Sequence, residues 1–242
     1  MAECDRTATS APARDSALMA QLREATAAVH AATEDLPLMR ALLGPAVTIG
    51  LYRRYLTALY GVYLATEPCL YSALPASVLT SLAVQPKLPA LQLDLSRLGV
   101  APPLPPARWS AALRRSVDGP AAALGGLYVL EGATLGGRVI ARRLRRAFGG
   151  GAADLPLRFL DGQQQEPGWA WRDFGRRLER AASDCGVPQG AVVAGAVAVF
   201  AAMHRALAEA DAGQDDPAGR DEPDGRNEAV ERRGSHGTSN AG

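Results

Sequence analysis

The chain has 242 residues, 48% of them apolar, and a formal net charge of +1. That length supports one well-packed domain or at most two small ones, and the near-zero charge excludes a global pull toward nucleic acid or an anionic membrane surface. The three cysteines, Cys4, Cys69 and Cys185, are scattered and odd in number, which excludes a disulfide framework and a Cys/His zinc site as organising features.

Residues 1–16 are small and polar with no apolar period, so they are expected to form a disordered tail. No charged-then-apolar signal segment opens the chain. Beyond them Met19, Leu22, Thr26, Val29, Thr33 and Leu36 recur at threes and fours, the period of an amphipathic helix, with Ser16 as a candidate cap and Pro37 marking a bend or end. Leu51 to Leu64 predicts a second helix with a stripe of Tyr52, Tyr55, Tyr60 and Tyr63. A third segment is expected from Pro68 to Leu82, and after a Pro-containing connector comes LPALQLDLSRLG, ending at Gly99 as a C-cap. Pro102 to Pro106 reads as a loop. A long helix is expected from Val117 to Phe148, stopped by Gly149, Gly150 and Gly151. Two more follow, around Trp169–Cys185 and over Gln189–Ala210. The apolar stretch at 191–203 has about thirteen residues, fewer than the roughly 20 of a membrane span. Residues 211–242 offer almost nothing to bury and predict a second disordered tail. With no alternating strand pattern anywhere, the expectation is an all-α bundle, a single domain over 17–210, soluble and cytoplasmic.

The body holds two histidines, His30 and His204. Arg23, Thr26, His30 and Glu34 lie at −7, −4, 0 and +4, on one helix face. A metal-ligating imidazole commonly gives its second N–H to a carboxylate, and Glu34 stands one turn on. Arg23 stands two turns the other way, where it can pair with a ligand carboxylate. One histidine cannot close a zinc site, but it suffices as an axial ligand to heme iron, whose other four nitrogens come from the porphyrin. The bland alternative is a surface or satisfied core histidine.

EGATLGGRVIARRL places Gly132, Gly136 and Gly137 inside a strongly helical run. Three glycines cost a helix interior roughly 3 kcal/mol relative to alanine, so some close approach requires them. Gly125, Gly132 and Gly136 fall near one face, which suits either a flat ligand or tight helix packing. No strand precedes them and no GxxxxGK[ST] occurs, which excludes a phosphate loop.

Together LREATAAVHAATE (22–34) and LYVLEGATLGG (127–137) resemble the proximal and distal helices of bacterial heme oxygenases. YRRYLTALYGVYLATEP (52–68), KLPALQLDLSRLG (87–99) and, more weakly, LRFLDGQQQEPGWAWRDFGRRL (157–178) extend the resemblance over about residues 18–207. It implies a bundle clasping heme, with His30 as the axial iron ligand, Glu34 as its supporting carboxylate and Arg23 and Thr26 beside the cofactor. It implies Gly132, Gly136 and Gly137 as the distal glycines, and Arg172, Arg176 and Arg177 are candidates for the second propionate. The implied reaction opens the heme macrocycle with O2 and external electrons to biliverdin, CO and Fe(II). The donor would be a ferredoxin or flavoprotein reductase, for which Arg138, Arg142, Arg143, Arg145 and Arg146 offer a basic docking run. One departure stands out: mammalian-type members carry an aspartate after the first distal glycine, and here that position is Ala133, followed by Thr134. A non-degrading heme-binding or sensor protein of the same fold is the alternative that this departure supports. A thiamin-degrading enzyme using Cys69 near Glu67, and a purely structural adaptor, are the others.

Overall fold

The computed structural model describes residues 17–102, 104–149, 155–162 and 167–212. The tails expected at 1–16 and 211–242 lie outside the described residues, except that Asp211 and Ala212 continue the last helix instead of opening the tail. Among those described there is no strand, and ten helices follow in order: α1 (Ala17–Glu34), α2 (Pro37–Leu43), α3 (Ile49–Ser72), α4 (Ala76–Leu82), α5 (Leu88–Arg97), α6 (Ala107–Ser116), α7 (Gly119–Phe148), α8 (Arg158–Asp161), α9 (Pro167–Asp184) and α10 (Gln189–Ala212).

The periodic apolar residues of α1 become its buried stripe: Leu18, Met19, Leu22, Thr26 and Thr33. Pro37 opens α2 at its first turn, where its missing N–H would have no helical partner. The tyrosine stripe of α3 turns inward, with Tyr52, Tyr55 and Tyr63 buried. Two expectations need correction here. The helix does not break at Pro68 but carries it inside its last turns; Pro68 is exposed, so the lost backbone bond faces water. The run at 107–116 is a separate helix, α6, and α7 begins at Gly119, whose φ of 83° only glycine adopts without strain.

Long-range side-chain bonds fix the shorter elements. Glu67 of α3 accepts the backbone N–H groups of Lys87 (2.5 Å) and Leu88 (2.7 Å), supplying the negative charge that the start of α5 favours. Asp94 of α5, fully buried, accepts the N–H of Phe159 at 2.7 Å, and the Tyr52 hydroxyl donates to the Pro156 carbonyl at 2.8 Å. Those two bonds pin the four-residue α8, an element too short to persist alone.

The centre of the bundle is α10, which packs on α1, α3 and α7. Its contact with α7 is backbone on backbone. A Cβ at Gly125 would come within 1.9 Å of the Val192 carbonyl oxygen, and one at Gly195 within 2.4 Å of the Ala122 carbonyl oxygen. The two glycines therefore sit where the helices touch with no side chain between them. By length and composition α10 could cross a membrane (mean hydropathy 1.8), a longer apolar run than the thirteen residues expected. Here its Val192, Ala196, Val199 and Met203 are core.

Candidate functional site

His30 lies on α1 with its side chain 57% exposed, and its Nδ1 stands 3.6 Å from Glu34 Oε2. That distance is an electrostatic contact rather than a full hydrogen bond, and it engages one ring nitrogen while leaving Nε2 for another partner. Phe200 of α10 meets the imidazole edge-on, ring centres 5.6 Å apart, which limits how the ring can turn. The second histidine is spoken for: His204 Nδ1 lies 3.1 Å from the Thr33 hydroxyl. Arg23 is exposed on the same helix, whereas Thr26 is buried and donates to the Leu22 carbonyl at 2.8 Å. The Thr26 hydroxyl is thus used by its own helix.

The glycines of α7 meet three different surroundings. A Cβ on Gly136 would meet nothing within 4 Å, and one on Gly132 would lie 3.3 Å from the Trp171 ring. Gly137 is buried against α8, where a Cβ would come 3.3 Å from the Leu160 carbonyl oxygen. Only Gly136 therefore faces open space, whereas Gly132 lies against Trp171 and Gly137 against α8. Trp171 of α9 is packed between Tyr128 (5.4 Å) and Phe174 (5.6 Å). This aromatic group was not singled out in the sequence; aromatics at threes and fours read as ordinary core. α1 and α7 are each packed on α10, and direct packing between the two is slight.

Arg172 is exposed on α9, and Arg176 pairs with Asp173 at 2.8 Å. Within the basic run, the Arg143 Nε donates to the Gly44 carbonyl (2.7 Å) and Arg145 pairs with Asp161 (2.5 Å), while Arg142 and Arg146 are exposed. Cys69 lies on α3 with its thiol toward the Ala65 carbonyl (3.7 Å), and the Glu67 carboxylate is committed to α5. No nucleophile–carboxylate pair is assembled there.

A second polar cluster lies elsewhere on α7. Lys87 forms a largely buried ion pair with Glu131, on the wall of a cavity of about 460 Å³ whose lining also includes Thr134, Arg138, Trp171 and Arg177. At about 100° per residue this face is turned roughly 150° from Gly132 and Gly136. Sequence reasoning missed Lys87, because its partner is 44 residues away and no periodicity joins a loop to a helix.

A helical bundle with a ligand face built from side chains on neighbouring helices is a known class of cofactor-binding fold. The family model described as heme oxygenase matches residues 16–209. A heme oxygenase from Xanthomonas campestris pv. campestris is 39% identical over 124 residues, spanning 50% of this chain and 67% of that protein. The chain belongs to the heme oxygenase family, as an enzyme of the bacterial type. Two solved structures share its fold. One is heme oxygenase-1 from the cyanobacterium Synechocystis sp. PCC6803 in complex with heme (TM-score 0.60, 21% identity, 79% of this chain and 91% of that one). The other is the heme oxygenase from Leptospira interrogans (TM-score 0.63, 22% identity, 80% and 100%).

Proposed function

We propose that this protein opens the heme macrocycle with O2 and electrons from an external donor, yielding biliverdin, CO and Fe(II), and that His30 would hold the heme iron. The observation that carries the reading is the pairing of His30 Nδ1 with Glu34 on an accessible helix face, together with the open space at Gly136 that a Cβ would occupy. A planar, largely apolar macrocycle fits such surroundings. Bound heme supplies the iron that activates O2 and is itself the substrate.

The chain's own residues then have distinct tasks. His30 would hold the heme iron, and Glu34, 3.6 Å from its Nδ1, would orient the imidazole. Gly132 and Gly136 let the α7 backbone approach the ligand, and Trp171 and Tyr128 exclude water at one edge. Arg23, Arg172 and Arg176 meet the propionates as cations near the rim. Thr26 supports the turn before His30, and Gly137 lets α7 close on α8. Arg142 and Arg146 present positive charge to an acidic ferredoxin or flavoprotein reductase. The working unit is the domain over 17–210, acting in the cytoplasm. Ala133, which places no carboxylate beside Gly132, favours the second reading, a heme-binding protein that leaves the ring intact.

One experiment separates these readings. Purified protein is mixed with one equivalent of hemin, then given a protein reductant and air, with His30→Ala in parallel. The expected result is a His30-dependent Soret band that decays as biliverdin appears. A band that persists through turnover conditions supports the second reading, and absence of any band overturns both.

A further inference from the structure

His204, the second histidine of the helical body, has no part in the proposed chemistry, yet a specific bond holds it. Its Nδ1 lies 3.1 Å from the Thr33 hydroxyl, 171 positions away in the chain. Thr33 is buried and stands 2.6 Å from the Val29 carbonyl. A carbonyl only accepts, so the one proton of the Thr33 hydroxyl is given there. The Thr33 oxygen is left to accept, and the donor to it is His204 Nδ1–H. The neutral His204 ring is thereby assigned its Nδ1–H tautomer without reference to any ligand.

The bond falls on the turn of α1 that carries His30. Val29 precedes His30, and Thr33 precedes Glu34. The chain from His204 through Thr33 to the Val29 carbonyl therefore brackets the histidine. Phe200 lies four residues before His204, on the same face of α10, and meets the His30 ring edge-on with centres 5.6 Å apart. α10 thus grips this turn twice, by a ring contact on His30 itself and by a hydrogen bond on Thr33. The two grips fix different things. A ring contact is a broad attraction that tolerates sliding, whereas an N–H···O bond is directed and sets how far α1 is displaced along α10. The 3.6 Å approach of Glu34 is too long to lock the plane of the imidazole by itself.

We infer that His204 is a positioning residue: by donating to Thr33 it fixes the register of α1 on α10 and seats the His30 imidazole against Phe200. The imidazole then keeps one orientation before a ligand arrives, which lowers the ordering cost of binding. His204 acts through Thr33 and Phe200 and has no contact of its own to make with the ligand. The grip on the turn stands on the geometry of His204, Thr33, Val29 and Phe200; its meaning for heme rests on the proposed function.

The test compares three variants. His204→Phe keeps ring bulk without the donor, and His204→Asn places a side-chain N–H where Nδ1–H stood. Thr33→Val breaks the same bond from the other helix, so a packing fault at position 204 is told apart from loss of the donor. In the ligand-free protein, proton–nitrogen correlation spectra of the imidazoles are expected to show the Nδ1–H tautomer at His204. Nuclear Overhauser contacts between the His30 and Phe200 rings are expected to weaken in His204→Phe and Thr33→Val and to recover in His204→Asn. In the hemin-loaded, cyanide-bound protein, the spread of the heme methyl resonances follows the plane of the imidazole that holds the iron. It is expected to change in His204→Phe and Thr33→Val, with hemin affinity falling by about 2- to 10-fold, and to return toward the wild-type pattern in His204→Asn. An Nε2–H tautomer at His204, or ring contacts unmoved in both His204→Phe and Thr33→Val, overturns the inference. Unmoved methyl resonances in those variants overturn it as well, since a bond that only stabilises the fold leaves the plane of the imidazole alone. If hemin gives no His30-dependent Soret band, the proposed function fails, and the ligand-free spectra still decide whether His204 positions His30.

Discussion

Gly132, Gly136 and Gly137 look equivalent in the sequence, three interruptions of one helix, yet their neighbours differ. Gly136 has empty space where a side chain would stand, and Gly137 has the α8 backbone. The difference makes a prediction. Gly136→Ala is expected to raise the stability of the ligand-free protein by up to about 1 kcal/mol through helix propensity while weakening hemin binding. Thermal melts and a hemin titration measure the two effects, and an unchanged affinity would remove Gly136 from the ligand face. Contacts set by the helical repeat alone were legible in the same way: Glu34 stands beside His30 because i and i+4 are neighbours on any helix. Thr26 shares their face in the repeat, but its hydroxyl bonds Leu22, since a helical threonine can share the carbonyl one turn back. Lys87 and Thr134 were not legible as a pair, because only the fold brings their elements to one cavity.

Among the elements, the long amphipathic helices were legible from their period, and the misread ones have specific causes. α3 continues through Pro68 because that turn faces solvent, where water replaces the missing donor. α8 has only four residues and owes its place to Asp94 and Tyr52 on other helices. The α7–α10 contact was partly legible, in that Gly125 was weighed as a packing glycine as well as a ligand-face one. The structure places it in packing, paired with Gly195. Gly125→Ala and Gly195→Ala are each expected to destabilise the fold by about 3 kcal/mol or more, because backbone atoms cannot yield as a flexible side chain can. Denaturant unfolding beside Gly136→Ala checks this: the three alanines should separate by sign, and similar small effects at all three would contradict the close crossing.

For the molecule as a whole, buried carboxylates give stability a pH dependence. Burial pushes the carboxyls of Asp94 and Glu67 above their usual range, and backbone N–H groups only partly offset it. A carboxyl raised in the folded state contributes most stability below its unfolded value of 3.8, and the contribution is lost as pH rises through the raised value. Asp94→Asn keeps an acceptor for the Phe159 N–H but carries no charge. Its Tm is therefore expected to gain on the wild type as pH climbs from about 4 toward neutrality. Melts across that range test it, and a constant difference between the two proteins would show that Asp94 titrates as an ordinary carboxyl.

α10 touches both α1 and α7, which barely touch each other. It works as a gauge block: the distance between the histidine-bearing helix and the glycine-bearing helix is set by how thick α10 is between them. Its run of alanine, valine and glycine keeps it thin, and at Gly195 it has no side-chain thickness at all. A side chain enlarged where α10 meets α7 is expected to widen that spacing, and with it the proposed heme slot, although α10 supplies none of the proposed ligands.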